Sequence, residues 1–146
     1  PLIELQQHVV AHRDHPLQGK RCSMADLLEF PWIWFREAAL SRDSLRAALL
    51  KANANLPVAA VETTSMHFGL HLLEQGGHAL MLLPSTLTDV ARRHGLKPLR
   101  LTSPLAAYPA GLIYREASER IGALATLHQA LIRIVQKNPL AVKRPR

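Results

Sequence analysis

Two histidines four positions apart are the residues whose spacing best suits metal chemistry. His67 and His71 share one face of a predicted helix, and Glu74 follows one turn later. This spacing can hold zinc. However, the segment reads His-Phe-Gly-Leu-His, so the glutamate of an HExxH metalloprotease motif is missing, and no second group of ligands stands out. We therefore interpret the two histidines as the polar face of an amphipathic helix, and we predict no metal and no other cofactor.

Nucleophilic and acid–base catalysis have as little support in the sequence. Cys22, the single cysteine, has no evident partner histidine and base. No candidate serine lies in the strained G-x-S-x-G turn of a hydrolase; these serines are Ser41, Ser44, Ser65 and Ser85. The 11 acidic residues are scattered, which argues against paired-carboxylate chemistry. We predict no catalytic residues and no enzyme activity.

A strand–helix–strand unit over residues 58–84 is the clearest structural signal. A β-branched run at 58–61 precedes Ser65, whose side chain is suited to begin a helix over 66–75. Gly76 can end that helix in a left-handed conformation, and the apolar run 79–83 reads as a strand buried on both faces. Such units build parallel sheets, in which ligands bind beyond the carboxyl ends of the strands and beside helix N-termini.

Hydroxyl groups and arginines follow the ends of two predicted strands. One set follows the strand over 32–35, just before the next helix, and the other follows the third strand. Helix starts attract anions, so a pocket for a small polar or carboxylated molecule is one interpretation, and plain helix capping is the other. The candidate residues are Phe35, Arg36, Ser41, Arg42, Thr63, Thr64 and Ser65.

The remaining pattern alternates strands and helices, which indicates an α/β fold with a mostly parallel sheet. Further elements are predicted as a strand at 3–11, helices at 24–29 and 43–51, a helix ending before Gly95, strands at 99–101 and 112–114, and a helix at 119–137 capped by Ser118. The last helix has a core stripe of Ile121, Leu124, His128, Leu131 and Val135. Leu127 and Ile134 lie off this stripe and predict a second buried face.

Two apolar stripes also mark the helix at 66–75. Met66, Leu70 and Leu73 form one stripe, which should pack on the sheet. Phe68 and Leu72 form the other, which is covered either by a neighbouring helix or by another subunit.

Bulk properties describe a single globular domain or slightly more. The chain has 146 residues, a formal charge of +7, and its densest basic cluster in residues 137–146, which we interpret as a solubilising tail. One cysteine and no membrane-length apolar run favour a reducing, cytoplasmic location. Because the chain opens on Pro1, we expect it to be a piece of a longer protein.

Several ordered segments resemble the effector-binding domain of LysR-type transcriptional regulators. HRDHPLQGKRCSMADLLEFPWI resembles the family's HPL…dL…pwi segment, and VETTSMHFGLHLLEQGGHALMLLP resembles its e-x-x-S…G-x-G-i-a-l-lP segment. GLKPLRL, AGLIYREASER and a long closing helix follow in the family's order. One departure is that the family's second glycine is Ala79 here.

The resemblance implies a fold like type 2 periplasmic binding proteins, with two α/β lobes and an inducer in the cleft between them. The chain would hold one complete lobe (residues 1–104), a return crossover with the last strand and helix of the other lobe (105–137), and the basic tail (138–146). In the family, the positions of Ser41, Arg42 and Thr63–Ser65 face the inducer. Tyr108, Pro109 and Ala110 would line the hinge side.

The resemblance also implies partners. A small, anionic inducer would bind, and a homodimer or homotetramer would contact DNA through a winged helix-turn-helix domain that this chain does not contain. The sequence leaves a rival interpretation, a solute-binding protein of a transporter with the same fold.

Overall fold

The protein is described by a computed structural model that covers residues 2–36, 39–115 and 122–137, apart from the side chains of residues 39–41. The chain divides into two compact units, one of residues 6–106 and one of residues 1–5 with 107–146. The predicted tail at 138–146, the Ser118 cap and Ile121 lie outside the described residues. Among those described, no helix has both the length and the apolar composition of a membrane span.

The two units contain nine strands, five α-helices and one short 3-10 helix in the described part of the chain. In chain order the elements are β1 (Ile3–Leu5), β2 (Gln7–His12), β3 (Arg21–Cys22), α1 (Met24–Leu28), β4 (Trp32–Phe35), α2 (Ala39–Lys51), β5 (Ala59–Thr63), α3 (Met66–Glu74), β6 (Leu80–Pro84), a 3-10 turn (Ser85–Leu87), α4 (Thr88–Arg93), β7 (Leu96–Pro98), β8 (Arg100–Leu101), β9 (Tyr108–Ala110) and α5 (Gly122–Lys137).

A five-stranded sheet in the order β5-β4-β6-β2-β7 is the centre of the unit formed by residues 6–106. β4 pairs in parallel with both β5 and β6, and β2 lies antiparallel between β6 and β7. Four of the five strands therefore run in one direction, which confirms the predicted mostly parallel sheet. This arrangement also brings the carboxyl ends of β4, β5 and β6 to one edge of the sheet.

Both faces of the sheet are buried at β4 and β6, which explains the unbroken apolar sequence of these two strands. Trp32 and Trp34 of β4 point to one core, where their rings stack with centroids 4.9 Å apart. Ile33, between them, points to the other core with Met81 of β6 and Leu70 of α3. Each such side chain contributes about 1.5–3 kcal/mol when fully buried, so α3 is held firmly against the sheet.

Three predicted boundaries differ from the structure. The strand predicted at 3–11 is divided between β1 and β2, because β1 pairs with β9 while β2 enters the central sheet. The strand predicted at 99–101 is β8, which pairs with β3, and β7, which precedes it and pairs with β2, was not predicted. The helix predicted to begin at Asp43 begins at Ala39.

The other unit contains a two-stranded antiparallel ladder of β1 with β9. The strand predicted at 112–114 is wrong. Residues 111–115 have no regular structure, because no strand in the described part of the chain pairs with them. In α5 the predicted stripe of Leu124, His128, Leu131 and Val135 is half-buried. The predicted second buried face is wrong, since Leu127 and Ile134 are 49% and 62% exposed.

Candidate functional site

The ends of β4 and β5 lie side by side, as the sequence predicted. Phe35 is in register with Thr63, and the Arg36 N–H donates to the Thr63 carbonyl at 2.9 Å. This hydrogen bond extends the pairing of β4 with β5 by one residue beyond the end of β4. Phe35 is half-buried against the core under α3, so it fixes the position of Arg36 at the sheet edge. The polar residues that follow these two strands are thus held on one rigid support.

Arg42 is brought to the same edge by α2. Its Nη2 donates to the Arg36 carbonyl at 3.2 Å, which connects the first turn of α2 to the end of β4. The sequence placed Arg42 and Ser41 before the helix, but α2 already begins at Ala39. The guanidinium of Arg42 is therefore one cationic group at this edge. The Ser41 side chain lies outside the described residues.

Both arginines keep positive charge available for a ligand. Arg36 approaches Glu62 at 3.6 Å, with the two side chains 67% and 45% exposed. An ion pair this exposed is worth about 0–1 kcal/mol, so a bound anion can compete for Arg36. Arg42 donates to a neutral carbonyl, which leaves its charge uncompensated by that bond. A guanidinium has five N–H donors and binds carboxylates in a bidentate manner.

The hydroxyl groups after β5 first serve the start of α3. The Ser65 Oγ accepts from the Phe68 N–H at 3.3 Å, which confirms the predicted N-cap. The Thr63 Oγ1 accepts from the Ser65 N–H at 2.9 Å and donates to the Ser65 carbonyl at 3.3 Å. Plain capping therefore accounts for Thr63 and Ser65. Thr64 is exposed between them, which makes its hydroxyl the accessible one.

Sequence reasoning missed Ser85 as a candidate for this edge. Ser85 follows β6, the third strand whose carboxyl end lies there, and its N–H donates to the Gln6 carbonyl at 2.8 Å. Its Oγ is buried, with no hydrogen-bond partner within the described part of the chain. Gln7, opposite Pro84, is buried at the same place. The available signal was a polar residue directly after an apolar strand, the pattern already noted at Thr63.

The predicted hinge residues belong to the other unit. Tyr108, Pro109 and Ala110 form β9, where they pair with Leu5, Glu4 and Ile3 respectively. Tyr108 and Ala110 are half-buried and Pro109 is exposed. Their predicted contribution to ligand binding stays a prediction.

One histidine of the pair on α3, His71, takes part in an ion-pair cluster. The Glu74 carboxylate lies 3.2 Å from His94 Nδ1 and 3.4 Å from His71 Nδ1, and the hydrogen bond with His94 lowers the pKa of Glu74. His67 is exposed away from this cluster. Within the described residues, no group of three or more suitable side chains could hold a metal ion. The cluster connects the ends of α3 and α4.

Comparison with known proteins assigns the chain to a family. The family profile described as "LysR substrate binding domain" matches residues 1–136. The chain therefore belongs to the LysR substrate-binding domain family, whose fold resembles type 2 periplasmic binding proteins and whose role is regulatory. This assignment favours the predicted regulator over a transporter's solute-binding protein. No curated protein sequence matched the chain.

Solved structures of LysR-family regulatory domains share the fold. The regulatory domain of MetR from Neisseria meningitidis is 17% identical, with a TM-score of 0.70, and the alignment covers all of this chain and 68% of that one. The effector-binding domain of QuiR with shikimate is 16% identical (TM-score 0.62; 89% and 64% covered). The Synechocystis CcmR regulatory domain with 2-PG is 20% identical (TM-score 0.67; 95% and 66% covered). The chain thus spans about two thirds of these domains.

Proposed function

We propose that the sheet edge formed by the ends of β4, β5 and β6 binds a small anionic effector of a LysR-type transcriptional regulator. The observation that carries this proposal is the Arg42 guanidinium, held on the Arg36 carbonyl where two parallel strands end. The same sheet edge leads from Thr63 into the start of α3, whose first peptide N–H groups and dipole also favour an anion. Two cationic groups and a helix start at one sheet edge support the proposal.

The ligands of related domains support a carboxylate. QuiR was solved with shikimate, a carboxylic acid, and CcmR was solved with 2-PG. In this chain, Arg42 would hold the carboxylate through paired N–H donors, with Arg36 released from Glu62 as a second cation. The exposed Thr64 hydroxyl and the buried Ser85 hydroxyl would bind polar groups on the effector body.

Effector binding would act by a shift in conformational population. A ligand that binds one conformation more tightly favours it by the difference in binding free energy. α2 carries Arg42 in its first turn and Ser65 caps the start of α3, so both helices would respond to an occupied site. We infer that the response changes the state of a homodimer or homotetramer bound to DNA in the cytoplasm through a winged helix-turn-helix domain, without any catalytic step.

Exposed apolar side chains support the proposed self-association. Phe68 on α3 is 50% exposed, and Leu127 and Ile134 on α5 are 49% and 62% exposed. Large exposed apolar groups mark protein–protein contacts when they are contiguous. Sedimentation velocity at tens of micromolar should show a dimer or larger species, and a clean monomer would count against this part of the proposal.

The anion site can be tested with matched arginine variants of α2. We expect shikimate or another small carboxylate in a titrated panel to bind the wild-type chain, as measured by calorimetry. Arg42→Gln should weaken that binding by about tenfold or more, because a charge-assisted hydrogen bond is worth about 1.5–3 kcal/mol. Arg46→Gln removes the same charge one turn later, from an exposed position, and should leave the affinity within about twofold.

Two results would contradict the proposal. One is equal weakening by Arg42→Gln and Arg46→Gln, which would indicate a general effect of net charge. The other is equal binding of shikimate and its neutral methyl ester, which would show that the site does not recognise the carboxylate.

A further inference from the structure

A cavity of about 520 Å³, open to solvent, lies in the unit formed by residues 6–106, lined by residues other than those of the effector edge. Its walls are the start of α1, one face of α2 and the segment 102–106 after β8. We propose that this cavity is a second small-molecule site, and that its ligand is a monocarboxylate with an apolar body. The proposal rests on the shape and chemistry of the cavity, and it is independent of the anion site at Arg42.

The cavity exists because small side chains line the space between these segments. Ala48 lies on α2, Ala52 directly follows the end of that helix, and Ala25 lines the space from α1. None of these side chains is long enough to fill the gap, while Met24 beneath them belongs to the core. The volume falls within the roughly 300–1,000 Å³ that is usual for ligand pockets.

The lining determines what charge the ligand should have. Lys51 is the one charged side chain among the residues that line the cavity. The hydroxyls of Thr102 and Ser103 lie on another wall, whereas the Ser23 hydroxyl already bonds the Asp26 carboxylate at 2.8 Å. A single cation with few polar partners suits one carboxylate, and the alanine walls suit a hydrocarbon chain or ring.

A ligand in the cavity would contact α2, the helix that also carries a residue of the effector edge. α2 lines the cavity with Ala48 and Lys51, and it carries Arg42 at the effector edge two turns earlier. A ligand that fixes α2 in one position would therefore change the affinity at Arg42, and the effect must be reciprocal.

Octanoate is a suitable probe, since it combines one carboxylate with an apolar chain, and octanol is its uncharged control. By calorimetry with the intact chain, we expect octanoate to bind at submillimolar to millimolar concentrations. The affinity for octanol should be at least about tenfold lower. Lys51→Gln should weaken octanoate by about tenfold, and the exposed control Arg46→Gln should leave it unchanged. Ala48→Leu should abolish binding by filling the cavity.

Ala52→Leu provides a second filling variant in case Ala48→Leu does not fold, because Ala52 is exposed at the cavity wall. Unchanged octanoate binding in a folded filling variant would overturn the proposal. The proposal would also be overturned if octanoate did not bind at concentrations up to 10-fold above about 1 mM. Equal binding of octanoate and octanol would overturn it as well. Loss of octanoate binding in Arg42→Gln would place the ligand at the effector edge and would also overturn it.

Discussion

Replacement of His15 should destabilise the fold by an amount that depends on pH. The side chain is 2% exposed and makes two hydrogen bonds. The Leu17 N–H donates to its Nδ1 at 3.1 Å, so the proton is on Nε2, which donates to the His78 carbonyl at 3.0 Å. The ring also contacts Phe30, with centroids 4.5 Å apart. Both nitrogens are therefore satisfied only in the neutral imidazole.

His15→Ala should cost about 3 kcal/mol at pH 8. The two hydrogen bonds contribute about 1 kcal/mol each, and lost packing against Phe30 adds about 1 kcal/mol more. Burial lowers the pKa of His15 below its ordinary value of 6.5. The stabilising contribution is thus complete above about pH 6.5, and it is lost progressively as the pH falls below that value. The cost of the substitution should shrink accordingly at pH 5.

Urea denaturation at several pH values between 5 and 8 measures this effect. Burial also lowers the pKa of His8, but His8 is present in both proteins, so its contribution cancels in the comparison. The exposed His67→Ala variant should show only a small cost. A cost for His15→Ala that is equal at pH 5 and pH 8 would refute the assignment of a neutral, hydrogen-bonded imidazole.

Two further substitutions test local packing, both by urea or thermal denaturation. Ser23→Ala should cost about 1 kcal/mol, because Ser23 and Asp26 form a complete capping box at the start of α1. Hydrogen bonds from Ser23 lower the pKa of Asp26, so the part of this contribution made through the carboxylate should be lost as the pH falls below 3.8. Gly69→Ala should cost about 1 kcal/mol net, because its Cβ would lie 3.1 Å from Met81 Cε in a buried contact. Gly77→Ala, which faces open space, should be nearly neutral, and an equal loss in both glycine variants would contradict the packing argument.

The central strand–helix–strand unit was predictable because its signals are local. Ser65 begins α3 through its own hydroxyl, and Gly76 ends it with a φ of +81°. Both features depend on one or two residues and leave a clear trace in sequence. Strand pairing leaves no such trace. The apolar run at 112–114 resembles a strand, yet strand formation requires a partner, and the partner of β1 is β9 at residues 108–110.

The candidate site was predicted only in outline for a related reason. The rule that ligands bind beyond strand ends located Arg36 and Thr63, which the structure brings together. The start of α2 was placed four residues too late, at Asp43, so Ser41 and Arg42 were predicted to precede the helix, whereas Arg42 lies in its first turn. Ser85 was missed because its position depends on β6 lying beside β4, a neighbour relation that residue types alone do not reveal.

Chemical-shift mapping with a bound carboxylate tests the central claim most directly. Isotope-labelled protein would be titrated with shikimate, or with the carboxylate from the panel that binds most tightly. We predict that the largest amide shifts fall on Arg36, Arg42, Thr64 and Ser85, and that they disappear in Arg42→Gln but persist in Arg46→Gln. Shifts that leave these four residues unchanged while a carboxylate binds elsewhere would contradict an anion site at the ends of β4, β5 and β6.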